Sequence, residues 1–585
     1  MRLIFRYLNR YRGSVTWVMV VKFLGTMTEL MLPYILEHII DEIVPLGRLG
    51  AIFVWGLGMA AMAVVTRQLN VAANRRGVEN AHHIAYDVRQ ALFTKTVNLS
   101  SAQFDAFGLP SLISRMTSDS YNVQSCVQSI QLICVRAPIL LLGGVIVALT
   151  MDVQMALVLC VLLPILIGVC VGVSRYGIPL YNRVQHRLDD VVRVMRENIT
   201  GIRVVKALSK EEYEKGRFAQ ANDAMTASDI RAGTVMAIPS PIMQIFLNTG
   251  LALVVILGAY RVNGGVVKSG VILAFLTYFN MIMMGVMGVN RIFVMLSKAS
   301  ASANRIDEVL QVEDDQLVLT GEETGKGTGT EFIRFENVSF SYGETASHLR
   351  EHFAGSEREK CLYDISFSLN KGESLGIIGA TGSGKSTILN LLMRFYDVDE
   401  GAVYVDGRDV RGYDKDELHR KFGVVFQNDM VFQDTLRRNI SFGRELAEAD
   451  IRHAVDDAMA AEFIDGLEEG LEHVADIKGA NLSGGQKQRL LIARALAGKP
   501  EILILDDSSS ALDYKTDASL RKAIFARHKD AAVIMVAQRV SSVQGMTNIL
   551  VLDDGRCIGY GSHAHLLETC PTYQAIYQAQ MGSLA

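Results

Sequence analysis

The sequence predicts a six-span helical membrane domain followed by an α/β domain built around a phosphate-binding loop. Three observations carry that expectation: six apolar runs near the roughly 20 residues needed to cross hydrocarbon, a polar linker after them, and a glycine-rich strand-loop-helix segment beyond the linker. Composition agrees. Of 585 residues, 50% are hydrophobic, 21% are charged and only 10 are proline, so the apolar excess needs a dry phase beyond an ordinary core. The formal net charge of -4 gives no basic field that would make nucleic acid the main partner. The 7 cysteines are scattered without a CxxC pair, which excludes a disulfide framework or a zinc cluster as the organising device.

Residues 1–12 alternate Arg2, Arg6, Arg10 and Arg12 with Leu3, Ile4, Phe5 and Leu8, the pattern of a short helix lying in a membrane interface. Spans are expected near 14–36, 50–72, 127–150, 153–174, 237–262 and 267–290. The connections at 37–49, 151–152 and 263–266 are short. Those at 73–126 and 175–236 are long and basic, with Arg75, Arg76, Arg89, Lys95 and Arg115 in the first and Arg183, Arg187, Arg193, Arg203 and Lys206 in the second. Positive charge assigns these connections and both termini to the cytoplasm, in a multi-pass protein of a bacterial plasma membrane. Apolar periodicity continues through both connections, which predicts helices projecting far past the bilayer, with turns near 104–114 and 209–218. The membrane domain is thus expected over 1–315, the linker over 316–330 and the α/β domain over 331–585.

The segment Leu375 to Leu389 reads as an apolar strand, the loop Gly379-Ala-Thr381-Gly382-Ser383-Gly384-Lys385-Ser386-Thr387, and a helix. Glycines let successive backbone N–H groups close on phosphate oxygens at a helix N-terminus, Lys385 adds a point charge, and the Ser386 hydroxyl suits Mg2+. A second strand, 502–505, ends in Asp506 and Asp507, which puts one carboxylate where it serves Mg2+ and the next where it orients an attacking water. A third segment, Asn481-Leu-Ser483-Gly484-Gly485-Gln486, opens another helix and makes a second phosphate nest. One complete loop needs no second cradle, so this one points to a nucleotide held by another subunit.

Together these motifs resemble the ABC transporter family, specifically exporter-type half-transporters with six spans fused to one nucleotide-binding domain, and the resemblance covers essentially the whole chain. It implies an α/β P-loop NTPase domain with the ABC helical subdomain, bound ATP and Mg2+, and ATP sandwiched between one subunit's P-loop and the other's LSGGQ. It further implies that Tyr342 stacks on adenine, that Gln427 senses Mg2+, that Asp513 closes the D-loop, and that the tips near 104–114 and 209–218 are coupling helices.

The chain departs from the family pattern at Asp507, where Glu is usual, at Gln538, where the switch loop usually carries His, and at Ile477, where Glu precedes the signature. Asp507 is one methylene short, and Gln538 hydrogen-bonds without exchanging a proton. A weakened site beside an intact signature resembles one subunit of a heterodimeric multidrug exporter, with a second half-transporter as partner. Glu29, Arg136 and Met284 are the candidates along the substrate path, with Glu29 pointing to cationic cargo, while Lys22 and Arg67 are expected to snorkel toward an interface. The chain starts directly at the interfacial helix, without an N-terminal protease domain, so export of a small amphipathic drug or lipid ranks ahead of leader-peptide secretion. The alternatives are a lipid flippase, an importer on the exporter fold, and a nucleotide-gated regulator or channel with little turnover. The polar stretch 343–360 reads as a solvated loop, with His348 and His352 too sparse to define a metal site.

Overall fold

The computed structural model describes residues 1–316, 318–319, 331–342, 360–508 and 511–581; His348, His352 and most of the linker lie outside the described residues. The chain divides into two compact units, Met1–Val97 with Pro110–Val312, and Asn98–Leu109 with Glu313–Ala585.

The first unit is all helix. It comprises α1 (Arg2–Arg10), α2 (Arg12–His38), α3 (Leu49–Val97), α5 (Leu109–Ser114), α6 (Ser120–Pro138), α7 (Gly144–Met151), α8 (Val153–Thr200), α9 (Ile202–Ala207), α10 (Glu211–Ala237), α11 (Pro239–Asn263) and α12 (Ser269–Leu310); α4 (Ser101–Phe107) belongs to the second unit. Six helices among the described residues are long and apolar enough to cross a membrane, as the apolar runs predict. Several run much further. At about 1.5 Å per residue, the 49 residues of α3 far exceed a hydrocarbon core roughly 30 Å thick.

Small residues set the closest helix approaches. A Cβ at Gly285 of α12 would lie 2.9 Å from the Leu141 amide nitrogen and 3.0 Å from the Ala137 carbonyl, so only glycine fits there. Tyr278 is fully buried and donates its hydroxyl to the Leu30 carbonyl at 2.7 Å, tying α12 to α2. The bundle also carries a polar seam: Ser14 donates to Asn80 (2.7 Å), and Asn80 donates to Gln131 (2.9 Å). Lys22 does not snorkel. It is 4% exposed, and its ammonium donates to Asn70 and Asn74 of α3 at 2.7 and 3.0 Å. The two neutral amide oxygens give the ammonium hydrogen-bond partners inside the bundle, which removes the reason to reach for the interface. Glu29 and Arg136 form an ion pair at 2.7 Å.

The second unit is α/β. Strands β1 (Ile333–Phe340), β2 (Leu362–Leu369), β4 (Glu400–Val405) and β5 (Arg408–Asp409) form an antiparallel sheet in the order β2-β1-β4-β5. Strands β3 (Ser374–Gly379), β6 (Phe422–Val425), β7 (Ile502–Asp506), β8 (Ala532–Val536), β9 (Asn548–Asp553) and β10 (Arg556–Gly561) form the second sheet, ordered β10-β9-β3-β8-β7-β6. It is parallel except for the β9/β10 edge pair. Alternation along β7 sends Ile502 and Ile504 into one core and Leu503 and Leu505 into another. The first core holds the helix Lys385–Leu392 through Ile388, Leu389, Leu391 and Leu392, and the second holds the helix Gly484–Leu496 through Leu490 to Leu496.

Helix α4 is built into this unit. Ser100 caps it by accepting from the Gln103 amide, and Gln103 returns its side chain to the Ser100 amide, a capping box. The Gln103 side chain also donates to the Glu313 carbonyl (2.7 Å), Ser100 donates to Asp315 (2.9 Å), and Asp105 accepts from the Tyr396 hydroxyl. Burial and the facing Asp105 carboxylate both push the Tyr396 hydroxyl pKa up.

Candidate functional site

The phosphate loop lies at the C-terminal edge of the parallel sheet, between β3 and the helix Lys385–Leu392. Gly382 and Gly384 take φ of +86° and +95°, values that side chains resist, and a Cβ at Gly384 would lie 2.6 Å from Leu362. The turn therefore needs glycine at both points, and it opens a helix whose first amides have no partner within the helix. Lys385 folds over the loop, donating to the Gly379 and Ala380 carbonyls at 2.9 and 2.6 Å. Burial lowers its pKa, opposed by Asp506 and Asp507, as expected of a cation waiting for an anion. Ser386 donates to Asp506 at 3.2 Å. Burial raises the Asp506 pKa, with its Ser386 hydrogen bond opposing, so a divalent cation beside this carboxylate would stabilise its charged form. These residues fit MgATP: the cradle, the lysine and the Ser386/Asp506 pair would hold its phosphates and metal, and Thr387 faces the same cleft.

That cleft, about 290 Å³, is also lined by Tyr342, Thr381, Gln427, Asp507 and Gln538. Asp507 follows β7 with φ of +47°, a left-handed conformation that Asp adopts more readily than most residues, and its amide donates to the Val536 carbonyl at 3.0 Å. Its Oδ2 accepts from the side-chain amides of Gln538 (3.2 Å) and Gln427 (3.4 Å). Two of the three positions that depart from the family pattern, Asp507 and Gln538, are therefore in direct contact. The Tyr342 hydroxyl donates to Thr387 and accepts from Asn390, both at 3.2 Å, while its ring meets Phe340 and Tyr396 edge-on at 4.9 and 5.1 Å.

The signature segment stands elsewhere. Ser483 and Gln486 close a capping box on the helix Gly484–Leu496, with Ser483 exposed and Gly484 and Gly485 against Ala511, and none of the four residues lines the cleft. Asp513 caps the helix Tyr514–Arg527, accepting from the Thr516 amide and hydroxyl at 2.9 and 2.7 Å. Ser383 is buried, its hydroxyl without a hydrogen-bond partner among the described residues. Of the tip expected near 209–218, most lies within α10 and the turn falls earlier, at 208–210 after α9, so the tip spans 202–213 and leaves Val204, Leu208 and Tyr213 exposed.

Sequence reasoning missed Asn390 and Gln580. Asn390 stands one turn beyond Thr387, so helical spacing held a signal for it. Gln580 donates to the Gln538 carbonyl (2.8 Å) and accepts from the Val540 amide (2.7 Å), and nothing local marks it.

Fold and cleft together define a multi-pass membrane protein carrying a P-loop ATPase unit. Residues 15–287 match the ABC transporter transmembrane region and residues 362–510 match the ABC transporter family. The YfiB protein of Bacillus subtilis, described as an uncharacterized ABC transporter ATP-binding protein, is 34% identical over 95% of this chain and 94% of its own. An ABC transporter ATP-binding protein of Mycobacterium tuberculosis is 32% identical over 98% of this chain and 97% of its own. This chain belongs to the ABC transporter family. A bacterial Atm1-family ABC exporter solved with ATP bound superposes with a TM-score of 0.80, covering 98% of this chain and 99% of its own at 21% identity, which establishes the exporter-type fold. Half-transporters of this design, with one membrane domain and one ATPase domain, normally dimerise.

Proposed function

We propose that this chain is one subunit of a heterodimeric ATP-driven exporter of small amphipathic molecules, with a weakened ATP site of its own and a signature that completes the partner's site. The observation that carries the reading is the Asp507 carboxylate held between the amides of Gln427 and Gln538. An amide in the switch position donates a hydrogen bond but accepts no proton, and the short Asp507 side chain, engaged by two donors, stands back from where a water would be activated. Bound MgATP supplies the γ-phosphoryl group and the metal's charge. Around it, Tyr342 offers a ring face, Lys385 a point charge, and Ser386 and Asp506 the metal contacts. These survive unchanged, so the site binds better than it turns over.

Ser483 and Gln486 do not line this cleft and cap a helix N-terminus whose Ser483 and Gly484 are exposed, which suits a nucleotide on a partner's P-loop. The exposed apolar tip at 202–213 suits docking on that partner too.

Steady-state ATPase of the purified chain in lipid, beside Asp507→Glu with Gln538→His, tests the reading. The parent should bind ATP with little turnover, and the double variant should gain on the order of 10- to 100-fold. Robust hydrolysis by the parent alone would remove the basis for a dedicated partner.

A further inference from the structure

The membrane unit holds a cleft of about 590 Å³ between α2, α3, α6 and α12. Three cationic side chains from three different helices line it: Lys22 of α2, Arg136 of α6 and Arg291 of α12. We propose that this cleft binds amphipathic anions, molecules with a carboxylate or another acidic group on an apolar body. The proposal deepens the transport reading and rests on it only for the transport steps after binding.

Charge within a membrane bundle is expensive and normally balanced, yet here the balance is lopsided. Glu29 is the carboxylate paired with Arg136, at 2.7 Å, and it does not line the cleft. The expectation of cationic cargo drawn from Glu29 is thereby reversed, because its charge is already met by Arg136. Lys22 is held by the neutral oxygens of Asn70 and Asn74, which orient the ammonium without cancelling it. The Arg136 Nε is buried without a hydrogen-bond partner among the described residues. Arg291 is exposed and forms no ion pair among the described residues. Lys22 and Arg291 thus line the cleft with their charges uncancelled, while the charge of Arg136 is met by Glu29, and an anion is the group that would satisfy the excess of positive charge.

The remaining walls fit the other half of such a molecule. Met284 and Met287 lie 59–61% exposed on α12, offering adaptable thioethers beside the cations. Gly288 stands between them and Arg291, where a Cβ would come 2.7 Å from the Ala137 Cβ, so α12 is drawn against α6 at the point where Arg136 enters. The arrangement separates an acidic head, met by Lys22, Arg136 and Arg291, from an apolar body laid along the methionines.

The test uses the full chain in phosphatidylcholine nanodiscs and three dansyl-labelled undecyl probes differing only in the far end: carboxylate, primary amide and ammonium. Fluorescence titration should give the carboxylate at least about tenfold tighter binding than the amide, with the ammonium weakest. Lys22→Gln and Arg291→Gln should each remove about threefold or more of that preference while leaving the amide probe unchanged, and Arg291→Lys should retain it. Equal binding of carboxylate and amide, or tightest binding of the ammonium, overturns the proposal. So does a loss of all three probes together in the glutamine variants, which would mark the cations as structural only. The readout needs no ATP: a chain that selects the carboxylate but hydrolyses robustly alone sinks the weakened-site reading and leaves this inference standing, and the converse separates them equally well.

Discussion

The second unit contains two helices whose N-termini are shaped for phosphate, and they are furnished very differently. The helix Lys385–Leu392 is preceded by two left-handed glycines and surrounded by a lysine, a magnesium-type Ser/Asp pair and an aromatic ring, all converging on one cleft. The helix Gly484–Leu496 has its own Ser483/Gln486 cap, with Ser483 exposed, and its N-terminal residues do not line that cleft. The two helices pack into cores on opposite faces of β7. The difference teaches that the first helix end is furnished as a binding site by its own surroundings, whereas the second is not, which is what the proposed site shared between two subunits requires.

Lys385→Ala probes that contrast most severely. Loss of the charge over the loop should weaken ATP binding about 100-fold, nearly 3 kcal/mol, in a fluorescent-nucleotide titration; retained affinity would mean the loop is not the site. Next in size is the gain in turnover expected of the Asp507→Glu, Gln538→His pair. Glu is less at home than Asp at the left-handed φ of residue 507, so Gln538→His alone serves as the companion measurement. Ser483→Arg should leave ATP binding by the isolated chain within about twofold while weakening ATP-dependent dimerisation about tenfold by light scattering. If it instead damages binding in the isolated chain, the signature serves its own cleft and the comparison collapses. Tyr342→Ala should cost roughly tenfold in ATP affinity, whereas Tyr342→Phe, which keeps the ring and loses the Thr387 and Asn390 bonds, should cost only about threefold. The smallest effect concerns pH. A protonated carboxyl cannot serve Mg2+, and burial raises the Asp506 pKa, so Mg2+-dependent ATP affinity should begin to fall at a higher pH on acidification than an ordinary aspartate would give. A fall that begins only where an ordinary aspartate titrates would contradict this.

What the sequence made legible is what local pattern encodes. Apolar runs near 20 residues located six spans, and glycine spacing with a lysine and a serine located the phosphate loop, because both signals are written in consecutive residues. Pairings between distant positions were not. Glu29 and Arg136 are 107 residues apart and each alone reads as a cargo contact, whereas together they neutralise each other. Lys22 reads as a snorkelling lysine until Asn70 and Asn74 of the neighbouring helix appear beside it. Asp507 reads as a shortened catalytic acid, but its backbone conformation and its two amide partners are tertiary facts that no motif contains.

The bond from Gln580 has a practical corollary. Its side chain grips both the carbonyl of Gln538 and the amide of Val540, so the helix Pro571–Met581 acts as a splint on the loop that touches Asp507. An affinity tag or fluorescent fusion attached just beyond that helix would load the splint directly, and turnover recorded on such a fusion would describe the tagged loop; a tag ahead of α1 avoids it.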